Sequence, residues 1–191
     1  MRRIASLLLL LLFCAAANLH AQPKPKPSDP HEHDFDYLLG DWEFNADSRD
    51  WGKYHGFWSA MRLETGQVID QYRVTGDNGE TFFSTISLRA YNAARNEWEL
   101  VSTNTNNGLR DFGTAHRDGN EMRIEQTFGA SSKHPSVWHI RYHDIEADHF
   151  LWDGDCSSDG GKTWQRCLHI EARRIGPPRS LGTLAPTTKG Q

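Results

Sequence analysis

Residues 81–103 read TFFSTISLRAYNAARNEWELVST. Thr81–Tyr91 and Trp98–Thr103 are rich in β-branched and aromatic residues. Between them, Asn92-Ala93-Ala94-Arg95-Asn96 has the composition of a turn. The connection is too short for a crossover helix, so the two runs must be antiparallel neighbours.

The same alternation continues in both directions. Strand-like runs occupy Asp41–Phe44, Tyr54–Leu63, Val68–Val74, Glu121–Phe128, Val137–Ile145, His149–Cys156 and Trp164–Ala172, with another at Leu109–His116. Turn chemistry separates them at Gly76-Asp77-Asn78-Gly79, Asn106-Asn107-Gly108, Asp118-Gly119-Asn120 and Asp159-Gly160-Gly161. The expected fold is all-β: an antiparallel up-and-down barrel of 8–10 strands, which leaves no edge exposed. A two-sheet sandwich is the alternative. Asp29-Pro30-His31-Glu32 reads as a capped start, with Pro at the first helical position. It predicts one short N-terminal helix that buries Phe35, Leu38 and Leu39 and ends at Gly40.

Met1-Arg2-Arg3 followed by the uncharged run Ile4–Ala17 is a signal-peptide pattern. Its fourteen residues fall short of the ~18–20 that a membrane span needs. Residues 1–21 are therefore expected to be cleaved, between Ala17 and Ala21, leaving no stable membrane anchor and a periplasmic or secreted protein. Residues 22–28 form a Pro/Lys linker, 29–175 the barrel domain and 176–191 a disordered tail. The chain of 191 residues carries a net charge of −4, and losing Arg2 and Arg3 makes it more negative. An acidic chain without a basic patch is a poor nucleic-acid binder. Trp 7, Phe 9 and Tyr 5 exclude disorder throughout.

Cys14 leaves with the leader, so Cys156 and Cys167 remain as an even pair in an oxidising compartment. They flank a turn, and a disulfide between them is expected. Symmetric pairing about Gly161-Lys162 would put Trp152 opposite Glu171 and turn Leu168 and Ile170 to the wrong face. A β-bulge would relieve that conflict.

Three segments, His33-Asp34-Phe35-Asp36-Tyr37-Leu38-Leu39-Gly40-Asp41-Trp42, Ile86–Asn92 closing at Trp98, and Ser157-Ser158-Asp159-Gly160-Gly161-Lys162-Thr163-Trp164, stand in that order. Together they resemble a bacterial lipocalin-like (calycin-type) β-barrel family that opens with HDFDxLxGxW and closes with an SxDGGxTW hairpin. The resemblance implies an interior cavity and no established reaction. It does not supply the disulfide, which rests on the cysteines themselves. It places Trp42 at the barrel end. The last segment also matches the Asp-box of sialidase-type propellers, but a propeller needs about four or more blades and one copy is present.

His139, Arg141 and His143 alternate with Trp138, Ile140 and Tyr142. The apolar set is the default interior; the other orientation would give a wall suited to an anion or to haem, with His139 or His169 as its ligand. Residues two apart on a helix diverge, so His31 and His33 cannot share a metal there, and no metal site or cofactor is expected. Asp70 inside a barrel would need a partner such as Arg62 or Arg89. The expected pocket is Trp58, Tyr72, Arg89, Arg141 and Trp152. It would hold a small apolar or amphipathic molecule against aromatic rings, with an arginine fixing the polar end. The alternatives are an enzyme, an isomerase or hydrolase using the cavity, and an envelope protein-interaction module. No nucleophile elbow, phosphate loop or dinucleotide fingerprint supports an enzyme.

Overall fold

The computed structural model describes residues 30–104, 108–130 and 132–181; the leader, the linker and residues 182–191 lie outside them. Ten strands follow one another: β1 (Gly40–Ser48), β2 (Gly52–Leu63), β3 (Val68–Thr75), β4 (Thr81–Asn92), β5 (Glu97–Asn104), β6 (Gly108–Asp118), β7 (Glu121–Phe128), β8 (Ser136–His143), β9 (His149–Ser157) and β10 (Gln165–Gly176). Each pairs antiparallel with the next, and β1 pairs with both β2 and β10, so the sheet closes into a barrel. Closure leaves no free edge among the ten, in keeping with a meander built from short turns.

Two local features add detail to the sequence reading. The N-terminal helix is two short 3-10 turns, Pro30–His33 and Asp36–Leu38. Its imidazoles contact nearby carboxylates instead of each other: His31 Nδ1 meets Asp34 at 3.0 Å and His33 Nδ1 meets Asp36 at 2.8 Å. Within the expected tail 176–191, Arg179–Leu181 form an eleventh strand, β11, parallel to Met61–Leu63 of β2, and residues 182–191 lie outside the described residues.

Alternating connections put the turns at 49–51, 76–80 and 158–164, with residues 129–130 and 132–135, at one end of the barrel. The turns at 64–67, 93–96, 119–120 and 144–148 lie at the other, with the N-terminal segment. That segment closes its end. Phe35 and Leu38 are fully buried. The Trp42 indole N–H donates to the Leu38 carbonyl at 2.8 Å and its ring meets Phe150 edge-on at 4.7 Å. Phe35 meets Trp98 edge-on at 5.0 Å. Edge contacts of this kind add about 0.5–1.5 kcal/mol each beyond area burial. Arg174 spans the plug: its guanidinium lies 4.0 Å from the Trp42 ring and donates to the Tyr37, Leu39 and Ala147 carbonyls. Gly40 has φ +112°, and a Cβ there would strike that guanidinium and the Gly176 carbonyl. Only glycine lets the chain enter β1 beneath the plug.

Cys156 and Cys167 form a disulfide, Cα–Cα 5.8 Å. The conflict of faces is resolved by a bulge. Gln165 pairs with Cys156 and Arg166 with Asp155, but Leu168 pairs with Gly154. Cys167 is the extra residue, and after it Ile170 and Ala172 turn inward beside Trp152 and Phe150. The bond closes a loop of sequence separation 11, so the double variant Cys156→Ser/Cys167→Ser is expected to lose about 2–3 kcal/mol in urea unfolding. An unchanged midpoint would contradict this.

Candidate functional site

Above the plug the interior is hollow. A cavity of about 280 Å³ reaches from the barrel's middle to the end that carries the β1–β2 turn, where it is lined by Ser48, Asp50 and Trp51. Four of the five expected pocket residues, Trp58, Tyr72, Arg89 and Trp152, line it together. They come from β2, β3, β4 and β9, each on the inward phase of its strand.

The floor is polar. Asp70 and Arg89, both buried, form an ion pair. The second Asp70 oxygen accepts the Trp58 indole N–H at 2.7 Å. The Arg89 guanidinium also packs 5.1 Å from the Phe35 ring of the plug. Thus Asp70 finds Arg89, while Arg62 goes instead to Asp36 and the Gly66 carbonyl. The arginine expected to fix a ligand's polar end is already answered by a carboxylate. Burial pushes the Tyr142 hydroxyl above its usual range, against the opposing pull of Arg89 and Trp152. Burial likewise raises Tyr72 well above its usual value, so both phenols stay protonated and able to donate; Tyr72 donates to the Tyr54 oxygen at 3.1 Å. Tyr72 stacks on Phe44 at 4.6 Å and meets Trp58 edge-on at 5.4 Å. These contacts fix the ring orientations before anything binds.

A second polar group stands on the β5–β6–β7 wall and was not anticipated. Asp111, Ser102 and Gln126 are buried and line the cavity. Ser102 Oγ donates to Asp111 at 3.2 Å, Gln126 Nε2 donates to Ser102 Oγ at 3.2 Å, and the Gly129 backbone N–H donates to the other Asp111 oxygen at 2.8 Å. The misleading signal is Phe112, the large apolar residue of its strand. It would be placed inward, but it is 54% exposed and leaves the inner face to Asp111.

Arg141 is a correction to the expected pocket. β8 turns Trp138, Ile140 and Tyr142 inward, so the period of two sends His139, Arg141 and His143 outside. His139 stacks on Trp164, ring centroids 3.7 Å apart. Arg141 reaches Glu121 and Asp153 at 3.5 and 3.6 Å. Neither His139 nor His169 faces the cavity, so neither can ligate haem there. Asp153 instead gathers His169 at 2.7 Å, His143 at 3.0 Å and Arg166 at 2.6 Å on the outer face. Among the described residues, no group of three His, Cys, Asp or Glu is arranged to hold a metal ion.

Two outer carboxylates make stability depend on pH. Burial alone would raise Asp153, but hydrogen bonds from His169 and His143 outweigh it and hold the carboxyl below its usual value. In the closing hairpin, the Thr163 backbone N–H and hydroxyl, the Ser157 hydroxyl and the Lys162 N–H bring Asp159 down to about 2. A carboxyl lowered on folding contributes stability above its unfolded value near 3.9, lost as pH falls through the folded value. The melting temperature is expected to drop more steeply between about pH 4 and 2 in the wild type than in Asp159→Ala. Parallel curves would contradict this.

Among solved structures, Rv2717c from M. tuberculosis matches with TM-score 0.55 at 13% identity, over 76% of this chain and 98% of its own. The S-type phycobiliprotein lyase CPES from Guillardia theta matches with TM-score 0.51 at 11% identity, over 75% and 91%. At such identities the likeness is one of fold, and it agrees with the closed sheet: a ten-strand antiparallel barrel, open at one end and plugged at the other. No family model matches the chain, and no curated protein matches it in sequence.

Proposed function

We propose that the protein is an exported carrier that takes one small apolar or amphipathic molecule into the barrel. The observation that supports this reading is the cavity of about 280 Å³, walled by aromatic rings and floored by the Asp70–Arg89 ion pair and the Trp58 N–H that Asp70 accepts. Cavities near this size, mostly apolar with a few fixed polar groups, are the usual form of small-molecule sites. Burial against Trp58, Tyr72 and Trp152 supplies affinity, and the Arg89–Asp70 floor sets depth. No helix among the described residues is long and apolar enough to cross a membrane. The leader carries the chain out and is then removed.

A second reading, docking of a protein partner, has one observation behind it. On the outer wall Leu88, Val101 and Phe112 pair in a row across β4, β5 and β6, and Leu88 and Phe112 are exposed. Native mass spectrometry of the protein recovered from its own cell envelope separates the two. The carrier reading predicts a chain shortened by its leader with a small adduct of fixed mass. A co-purifying protein in place of that adduct supports docking. An uncleaved chain overturns the exported part of the proposal.

A further inference from the structure

The charges in the cavity do not balance, and the imbalance identifies the class of ligand. Among the described residues its ionic lining is Asp50, Asp70, Arg89 and Asp111, with no lysine or histidine. Asp50 lies at the mouth and is paired with Arg49 at 2.7 Å. Asp70 and Arg89 answer each other. Asp111 has no cation partner among the described residues. Its donors are the neutral Ser102 hydroxyl and the Gly129 N–H, and it is 3% exposed. A buried carboxylate held only by neutral donors is costly when ionised, and a cation placed beside it offsets that cost. The rest of the wall suits a cation too. Trp58, Tyr72, Phe128, Trp138 and Trp152 line the same space, and aromatic rings attract positive charge, most strongly where water is excluded.

From this geometry we infer that the barrel selects a small organic monocation with an apolar or aromatic body, an arylalkylamine, whose ammonium pairs with Asp111. The inference rests on the carrier reading and names the ligand class for the same cavity. The amine nitrogen donates to the Asp111 carboxylate on the β6 wall while the ring packs among the indoles. Anionic amphiphiles are disfavoured, because Arg89 has no charge left to offer.

Isothermal titration calorimetry of the full mature protein at neutral pH tests this with three molecules of one shape. Tryptamine carries the ammonium, 3-propylindole a methyl in its place, and indole-3-propanoate a carboxylate. Tryptamine is expected to bind at least about tenfold more tightly than 3-propylindole, as hydrogen bonds to a charged group are worth. Indole-3-propanoate is expected to bind most weakly. In Asp111→Asn the ratio of tryptamine to 3-propylindole affinity should fall toward one. The wild-type series decides the question even if that variant does not fold. Equal binding of the three, tightest binding by the carboxylate, or a preference that survives Asp111→Asn overturns the inference. If the indoles fail but the neutral dye N-phenyl-1-naphthylamine binds, only the choice of a cation falls. If the dye fails as well, the carrier reading falls with it.

Discussion

Asp70→Ala is expected to lower the unfolding free energy by about 3–5 kcal/mol, the cost of stranding one member of a buried ion pair. Arg89 would be left buried without its counter-charge, and the Trp58 N–H would lose the acceptor it now reaches at 2.7 Å. Typical domains are stable by only about 5–15 kcal/mol, so this change takes much of the total. The pair need not be stabilising in itself. Charges of this kind are often replaced by well-packed apolar side chains at little cost. The double variant Asp70→Leu/Arg89→Met should therefore recover most of what Asp70→Ala loses. Urea unfolding of the two variants checks both halves. A loss under about 1 kcal/mol for Asp70→Ala would mean that water reaches Arg89 and that the floor is not sealed.

Gly56→Ala is expected to cost more than about 3 kcal/mol, above the usual range for overpacking. Gly56 pairs with Phe44 on β1 and Val74 on β3. A Cβ there would lie 2.0 Å from the Arg73 carbonyl oxygen and 2.6 Å from the end of the Phe44 ring. The ring could turn aside, but the carbonyl belongs to the β2–β3 ladder and cannot move without opening it. Phe44 also stacks on Tyr72, so the change should disturb the cavity wall as well as the fold. Here the glycine is required for space, whereas at Gly40 it is required for both space and conformation. A melting temperature within two degrees of wild type would show that the strands part more easily than this packing implies.

How far the molecule can be read from its residues differs between backbone and interior. The ten strands were legible because each combines β-branched and aromatic residues with a turn signal, and because no connection has room for a helix. Trp58, Tyr72, Arg89 and Trp152 could be named as a pocket from their aromatic and cationic chemistry, but alternation did not settle the face, since the Trp58 strand carries apolar groups on both sides. Arg141 lies outside because the apolar phase of its own strand, Trp138-Ile140-Tyr142, takes the interior, and the one arginine that lines the cavity among the described residues, Arg89, is held by Asp70. Asp111 was hidden for the opposite reason, since Phe112 competes with it for the inside and loses. The bulge at Cys167 could be inferred only as the relief of a contradiction between the disulfide and the apolar face.

The central claim is that the interior is a hollow able to admit one molecule. It is tested most directly by titrating the mature protein with N-phenyl-1-naphthylamine, whose fluorescence rises in apolar surroundings. The same titration is run on Thr85→Trp, which puts an indole into the cavity from β4, where Thr85 lines it. The hollow barrel predicts saturation at one dye per chain in the wild type and loss of that site in Thr85→Trp while the fold persists. No saturable binding in the wild type, or the same stoichiometry and affinity in both proteins, would contradict it.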